Sequence, residues 1–133
     1  MATYFGTTIN DSPTVVLPAN AAITGAQCKA AVVTSGKVKV ADTAGVEVLG
    51  LIPLSEDENI TSGADVTVQI KDIGLWEAGE AIAIGDALMT SSAGKAMKAT
   101  AGKYIVGYAL TAAAAAGTRI SVQVTKSGYV PAS

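Results

Sequence analysis

Three stretches of the chain bring together residue types capable of chemistry. Ala96-Met97-Lys98 is the tripeptide that presents a modifiable lysine in carrier domains, which makes Lys98 a candidate for acylation by biotin or a similar carboxylic prosthetic group. Ser55-Glu56-Asp57-Glu58-Asn59 sets oxygen donors close together, as a loose calcium site would. Cys28, the only cysteine, supplies one thiol and rules out an intrachain disulfide.

Each of these chemistries lacks its context. The chain has no histidine, which removes the usual general base, the commonest metal ligand and the usual partner of a Ser or Cys nucleophile. A carrier lysine projects from a tight hairpin at the midpoint between two half-domains, and in biotin sites a methionine follows it. Lys98 instead lies well inside the second of two similar halves, opposite Val40 of the first, and Ala99 follows it. The acidic loop has neither the central glycine nor the terminal bidentate carboxylate of a twelve-residue calcium loop, and its counterpart Thr111 to Gly117 (TAAAAAG) carries no ligands at all. Cys28 aligns with Leu88 and reads as a small strand hydrophobe. The expectation is therefore a chain without catalytic residues, cofactor or metal.

The elements that must position these residues come in two copies. Gly36 to Ala41 (GKVKVA) corresponds to Gly94 to Ala99 (GKAMKA), Val48 to Leu54 to Ile105 to Thr111, and Asp65 to Gly74 (DVTVQIKDIG) to Arg119 to Gly128 (RISVQVTKSG), always about 55 to 60 residues apart. Alternation of apolar and polar positions in DVTVQI and RISVQV predicts strands burying Val66, Val68 and Ile70, and Ile120, Val122 and Val124. Shorter strands are predicted at 30–33, 37–40, 47–52, 88–90, 96–98 and 104–110, separated by turn clusters. Gly50 and Gly107 fall at equivalent points inside apolar strands, where glycine signals a bend or another backbone passing close by. The fold class is all-β, a compact barrel or sandwich with an internal pseudo-repeat: an extended N-terminal arm over 1–20, then one β domain over 21–133 built from halves at 21–74 and 80–128.

Half of the 133 residues are hydrophobic but only 5% are aromatic, so the core must be built from small groups, and association would add buried area. A net charge of −2 with scattered lysines argues against nucleic acid as a partner. No apolar run is long enough to cross a bilayer and no leader pattern opens the chain, so no membrane association is expected. The large residues outside the repeat are the candidate interface: Tyr4 and Phe5 on the arm, Trp76 at the junction of the halves, where core packing competes with docking, and Tyr129 near the end.

From Gly74 to Gly117 the chain resembles the small capsid cement, or head decoration, proteins of tailed bacteriophages. GLWEAGEAIAIGDAL is similar to that family's V-x-A-G-G-A-I-x-A-G-D-x-L segment, and MTSSAGKAMKATAGKYIVGYALTAAAAAGT to its continuation; the matching positions include Gly79, Ala81, Ile82, Gly85, Asp86 and Leu88, then Gly94, Lys95, Ala96, Gly102, Gly107, Ala109 and Leu110. Ile23 to Val40 resembles the family's opening, while Glu80 departs from its glycine pair. The resemblance implies a β-rich, non-enzymatic virion protein, made in the host cytoplasm and assembling as a homo-oligomer, a trimer. It would sit on the outer surface of the phage head and bridge major capsid protein subunits. The competing reading from another class is a biotin or lipoyl carrier, or a small-ligand-binding β domain, with Lys98 as the attachment point.

Overall fold

The computed structural model describes residues 13–128, 130 and 131. Every element among them is β: β1 (Thr14–Pro18), β2 (Ile23–Thr24), β3 (Ala30–Thr34), β4 (Lys37–Val40), β5 (Gly50–Leu51), β6 (Asn59–Ile60), β7 (Asp65–Gln69), β8 (Asp72–Glu77), β9 (Ala87–Thr90), β10 (Ala96–Lys98), β11 (Gly107–Ala109) and β12 (Arg119–Val124). They form two five-stranded antiparallel sheets, in the orders β1-β7-β5-β3-β4 and β8-β12-β11-β9-β10, and a short β2-β6 ribbon. The architecture is sandwich-like rather than a closed barrel. Each sheet curls until its edges touch at one parallel bridge, Ala19 to Val38 in the first and Ala78 to Ala96 in the second.

The two sheets have one topology. β1, β7, β5, β3 and β4 occupy the places of β8, β12, β11, β9 and β10, and the β2-β6 ribbon is reduced in the second half to the bridge between Ile82 and Ala113. The sequence assigns residues 14–18 to the arm, places 72–74 at the end of the first half and leaves 75–77 between the halves, whereas in the structure 14–18 and 72–77 form the strands that open the two sheets, each pairing with the last long strand of its half. Their alternation is masked by Pro18 at one end and by Gly74 in the middle. Conversely, 47–52 and 104–110 shrink to two and three paired residues, because the chain enters each as a loop and bends at the glycine.

Those glycines are held by a close backbone approach. A Cβ on Gly50 would lie 2.0 Å from the Gln69 carbonyl oxygen, and one on Gly107 would lie 2.2 Å from that of Gln123. Gln69 and Gln123 are equivalent residues of β7 and β12, so the same crossing is made twice.

Of the six inward-facing residues expected on the long strands, Val66, Val68, Ile120, Val122 and Val124 are buried and Ile70 is half-buried. Two clusters result. One fills the first half with Ala19, Ile23, Ala31, Val38, Ile52, Ile60, Val66 and Val68. The other fills the second half with the counterparts Ala78, Ile82, Leu88, Ala96, Ala109, Ala113, Ile120 and Val122, and reaches across the seam to Ala30, Ala41, Val48 and Leu51.

Trp76 is the keystone of that seam. Its ring is completely buried, and its Nε1–H donates to the Gly94 carbonyl at 2.8 Å, the same oxygen that accepts the Ala30 N–H. Glu77 N–H donates to the Cys28 carbonyl one residue further on, and the Glu77 carboxylate pairs with Lys29 at 2.8 Å and Lys95 at 3.2 Å, one lysine from each half. Burial pushes the Glu77 carboxyl up, but hydrogen bonds from both lysines outweigh it and hold the group below the ordinary glutamate value.

Candidate interaction surfaces

The residues singled out for chemistry are turned to structural work. Lys98 ends β10 opposite Leu88, as Val40 ends β4 opposite Ala31, so it stands on a sheet edge and not at a hairpin tip between halves. Its backbone N–H donates to Glu80 Oε2 at 2.8 Å. The glutamate that departs from the glycine pair thus caps the open edge of β10. The presentation geometry of a carrier lysine is missing.

Two of the three carboxylates of the 55–59 loop, those of Glu56 and Glu58, accept from backbone amides. Glu56 Oε2 accepts from Thr67 N–H at 2.7 Å and Glu58 Oε1 from Gln27 N–H at 3.2 Å. The Gln27 side-chain amide donates to the carbonyls of Leu54 and Glu56. A loop that reads as a cation site is a clasp on the turn at 26–29, and among the described residues no group of three or more potential ligands is placed to hold a metal ion.

Cys28 is buried, as a small apolar residue should be, but its equivalence is different from that expected. The Cys28 N–H donates to Ile52 O and the Ile52 N–H to Lys29 O; Gly85 N–H donates to Ala109 O and Ala109 N–H to Asp86 O. Cys28 therefore matches Gly85, while Leu88 matches Ala31. Both Cys28 and Gly85 are third residues of a four-residue turn and are left-handed, at φ 60° and 90°. The second half has one extra residue in its β9-β10 turn, which accounts for one of the three residues by which the sequence alignment slips. Burial raises the thiol pKa, with Arg119 and Lys29 opposing, so the group stays protonated near neutral pH and is a poor nucleophile.

Among the proposed interface residues, Trp76 requires correction. A ring with no exposure cannot meet a partner in this fold; its size is spent on the seam. Tyr4, Phe5 and Tyr129 lie outside the described residues.

The sequence reading missed the exposed aliphatic groups. Ile84 is 70% exposed at the second position of the 83–86 turn, and Leu110, 39% exposed, follows β11 beside it. The neutral connector 111–118 continues this face, and a shallow depression of about 360 Å³ opens there, lined by Ala81, Ala83, Ala113, Ala114 and their neighbours. The available signal was an aliphatic side chain in a turn where the other half has Gln27. Val16, Val33, Ile73 and Tyr104 are also exposed, on other parts of the surface, as is Leu54 on the 54–58 loop of the first half. A cleft of about 160 Å³ along the seam, between Glu47, Val48, Tyr104 and Lys126, is smaller than usual small-molecule sites.

The fold has a solved counterpart. The chain superposes on the N base of the head fibre protein gp8.5 of bacteriophage phi29 with a TM-score of 0.63 at 16% identity, covering 87% of this chain and 96% of that one. At such identity the likeness speaks for the fold alone. No curated protein gives a significant sequence match. The sequence profile of phage cement proteins matches residues 12–124, from the start of β1 to the end of β12, and on that extent of agreement the chain belongs to the phage cement protein family.

Proposed function

We propose that this protein is a non-enzymatic component of the phage head, bound to the outer surface, where it bridges major capsid protein subunits and holds the shell against pressure from within. The observation that carries this reading is family membership across both sheets. The seam supports it: the two halves share one core and a Lys-Glu-Lys ion network, so a load applied to one half is passed to the other through rigid β structure. A homo-oligomer, a trimer, would give each unit several attachment points, and multivalency turns modest contacts into long retention. Tyr4, Phe5 and Tyr129 are the proposed aromatic contacts within the assembled particle.

The test is reconstitution. Purified protein is mixed with expanded heads lacking it, and co-sedimentation and heat resistance of the heads are measured beside native mass spectrometry of the free protein. Saturable binding with heads surviving higher temperature supports the proposal. Heads that bind none of it, or bind it without gaining resistance, overturn it.

A further inference from the structure

The apolar end of the second half has no covering element among the described residues, whereas the equivalent end of the first half is closed by the 54–58 loop. We propose that this end is the docking site for the chain's own N-terminal arm, residues 1–12, supplied by a neighbouring copy in the homo-oligomer. The inference rests on the assembly reading above only for the source of the arm.

Three observations favour the arm. The first is chemical fit: residues 2–10 (ATYFGTTIN) are uncharged and carry Tyr4, Phe5 and Ile9, and the depression beside Ile84 is lined mostly by alanines, whose small side chains leave room for bulky ones. The second is charge. The only charged side chain of the arm is Asp11, and at the depression the Lys98 ammonium has no ion-pair partner among the described residues, while the Asp86 carboxylate is engaged by the Ala83 N–H at 2.9 Å. The third is reach. Twelve extended residues span about 40 Å, and a domain of this size is about 35 Å across, so an arm leaving β1 can cover the second-half end of an adjoining subunit. Burying Ile84 and Leu110 under aromatic rings removes the most exposed aliphatic side chain of the described surface from water.

Disulfide trapping in the full chain tests this. Thr7→Cys is combined with Ala114→Cys, which leaves Tyr4, Phe5 and Ile84 in place; buried Cys28 stays inert. The control pairs Thr7→Cys with Lys37→Cys, on the outer edge of the first sheet. The expected result is a 7–114 disulfide between chains, found by peptide mapping, and a yield about tenfold lower when Ile84→Asp is added. No 7–114 bond, a yield matched by the control, or a yield indifferent to Ile84→Asp overturns the proposal, and so does a bond formed only within one chain. The experiment uses free protein, so failure to bind heads would sink the capsid reading without touching this one. If Ile84→Asp abolishes head binding while the 7–114 bond never forms, the face contacts the capsid and the arm assignment is wrong.

Discussion

The first half of the molecule fastens its loop end with carboxylates and an amide, and the second leaves the same end to alanines. Gln27 and Ile84 occupy equivalent turn positions. Around Gln27 the 54–58 loop supplies two carbonyls and a carboxylate; around Ile84 the connector from Thr111 to Thr118 carries no charge. Yet the strand order, the edge bridges and the glycine crossings are the same in both. The fold therefore depends on a short set of positions: alternating apolar residues on β7 and β12, Gly50 and Gly107, and the alanines or valines where edges meet. The loop ends are free of that duty, and there the halves have diverged.

The largest break in the symmetry is Trp76, whose counterpart is Leu17: Leu17 pairs with Val66 as Trp76 pairs with Ile120. Trp76→Ala should cost about 3–5 kcal/mol, since it leaves a cavity at the seam and deprives the Gly94 carbonyl oxygen of one of the two hydrogen bonds it accepts. Leu17→Ala, at a half-buried site, should cost about 1–2 kcal/mol. Urea unfolding followed by far-ultraviolet circular dichroism measures both. Equal losses would show that the seam is not anchored by the indole.

Next come the crossings. Gly50→Ala and Gly107→Ala each drive a methyl into a backbone carbonyl that cannot rotate away, so each should lose about 2–3 kcal/mol. The comparison predicts similar losses. If one substitution is harmless, the two crossings are equivalent in trace only.

Glu77 is the point where the halves are tied by charge. Because its carboxyl is held below the ordinary value of 4.5, its contribution is complete above that value and is lost as the pH falls through the depressed one. Glu77→Gln should reduce stability by about 1–2 kcal/mol near neutral pH, leaving Lys29 and Lys95 facing a neutral amide. The gap between wild type and variant should narrow as the pH falls below 4.5 and through the depressed folded-state value, where wild-type Glu77 becomes protonated. A gap that stays constant in acid would mean the amide loss came from packing.

Much of this comparison was legible in the residues. Period-two alternation marked β7 and β12, and recurrence at a near-constant offset marked β4 with β10 and β5 with β11, because a duplicated unit repeats the constraints that its folding imposes. Two kinds of feature escaped. Strands β1 and β8 are set by pairing across the sheet, and Pro18 and Gly74 blur their local signals. The apolar end escaped because an exposed isoleucine looks the same in sequence as a buried one; only the fold shows that Ile84 sits on a turn left exposed by the described residues. The sequence sets Trp76 outside the repeat, between the halves, whereas the structure places it in β8, the first strand of the second sheet, and its burial depends on Gly94 and Ala30 converging from distant parts of the chain.

The smallest effect gives the sharpest test of the corrected alignment. In both halves the third residue of the turn, Cys28 or Gly85, is left-handed, but only the first half puts a side chain there. A Cβ on Gly85 would meet nothing within 4 Å, so Gly85→Ala adds backbone strain without a clash and should cost about 1 kcal/mol. In the first half the strain is already present and is offset by burial of the thiol. Cys28→Ala removes the sulfur and keeps the strain; Cys28→Gly removes both. At an ordinary buried site the glycine variant would be less stable than the alanine by about 0.5–1 kcal/mol. Here the order should reverse, with Cys28→Gly at least as stable as Cys28→Ala in urea unfolding. The ordinary order would mean that Cys28 is not strained, and that its match to Gly85 reflects hydrogen bonding alone.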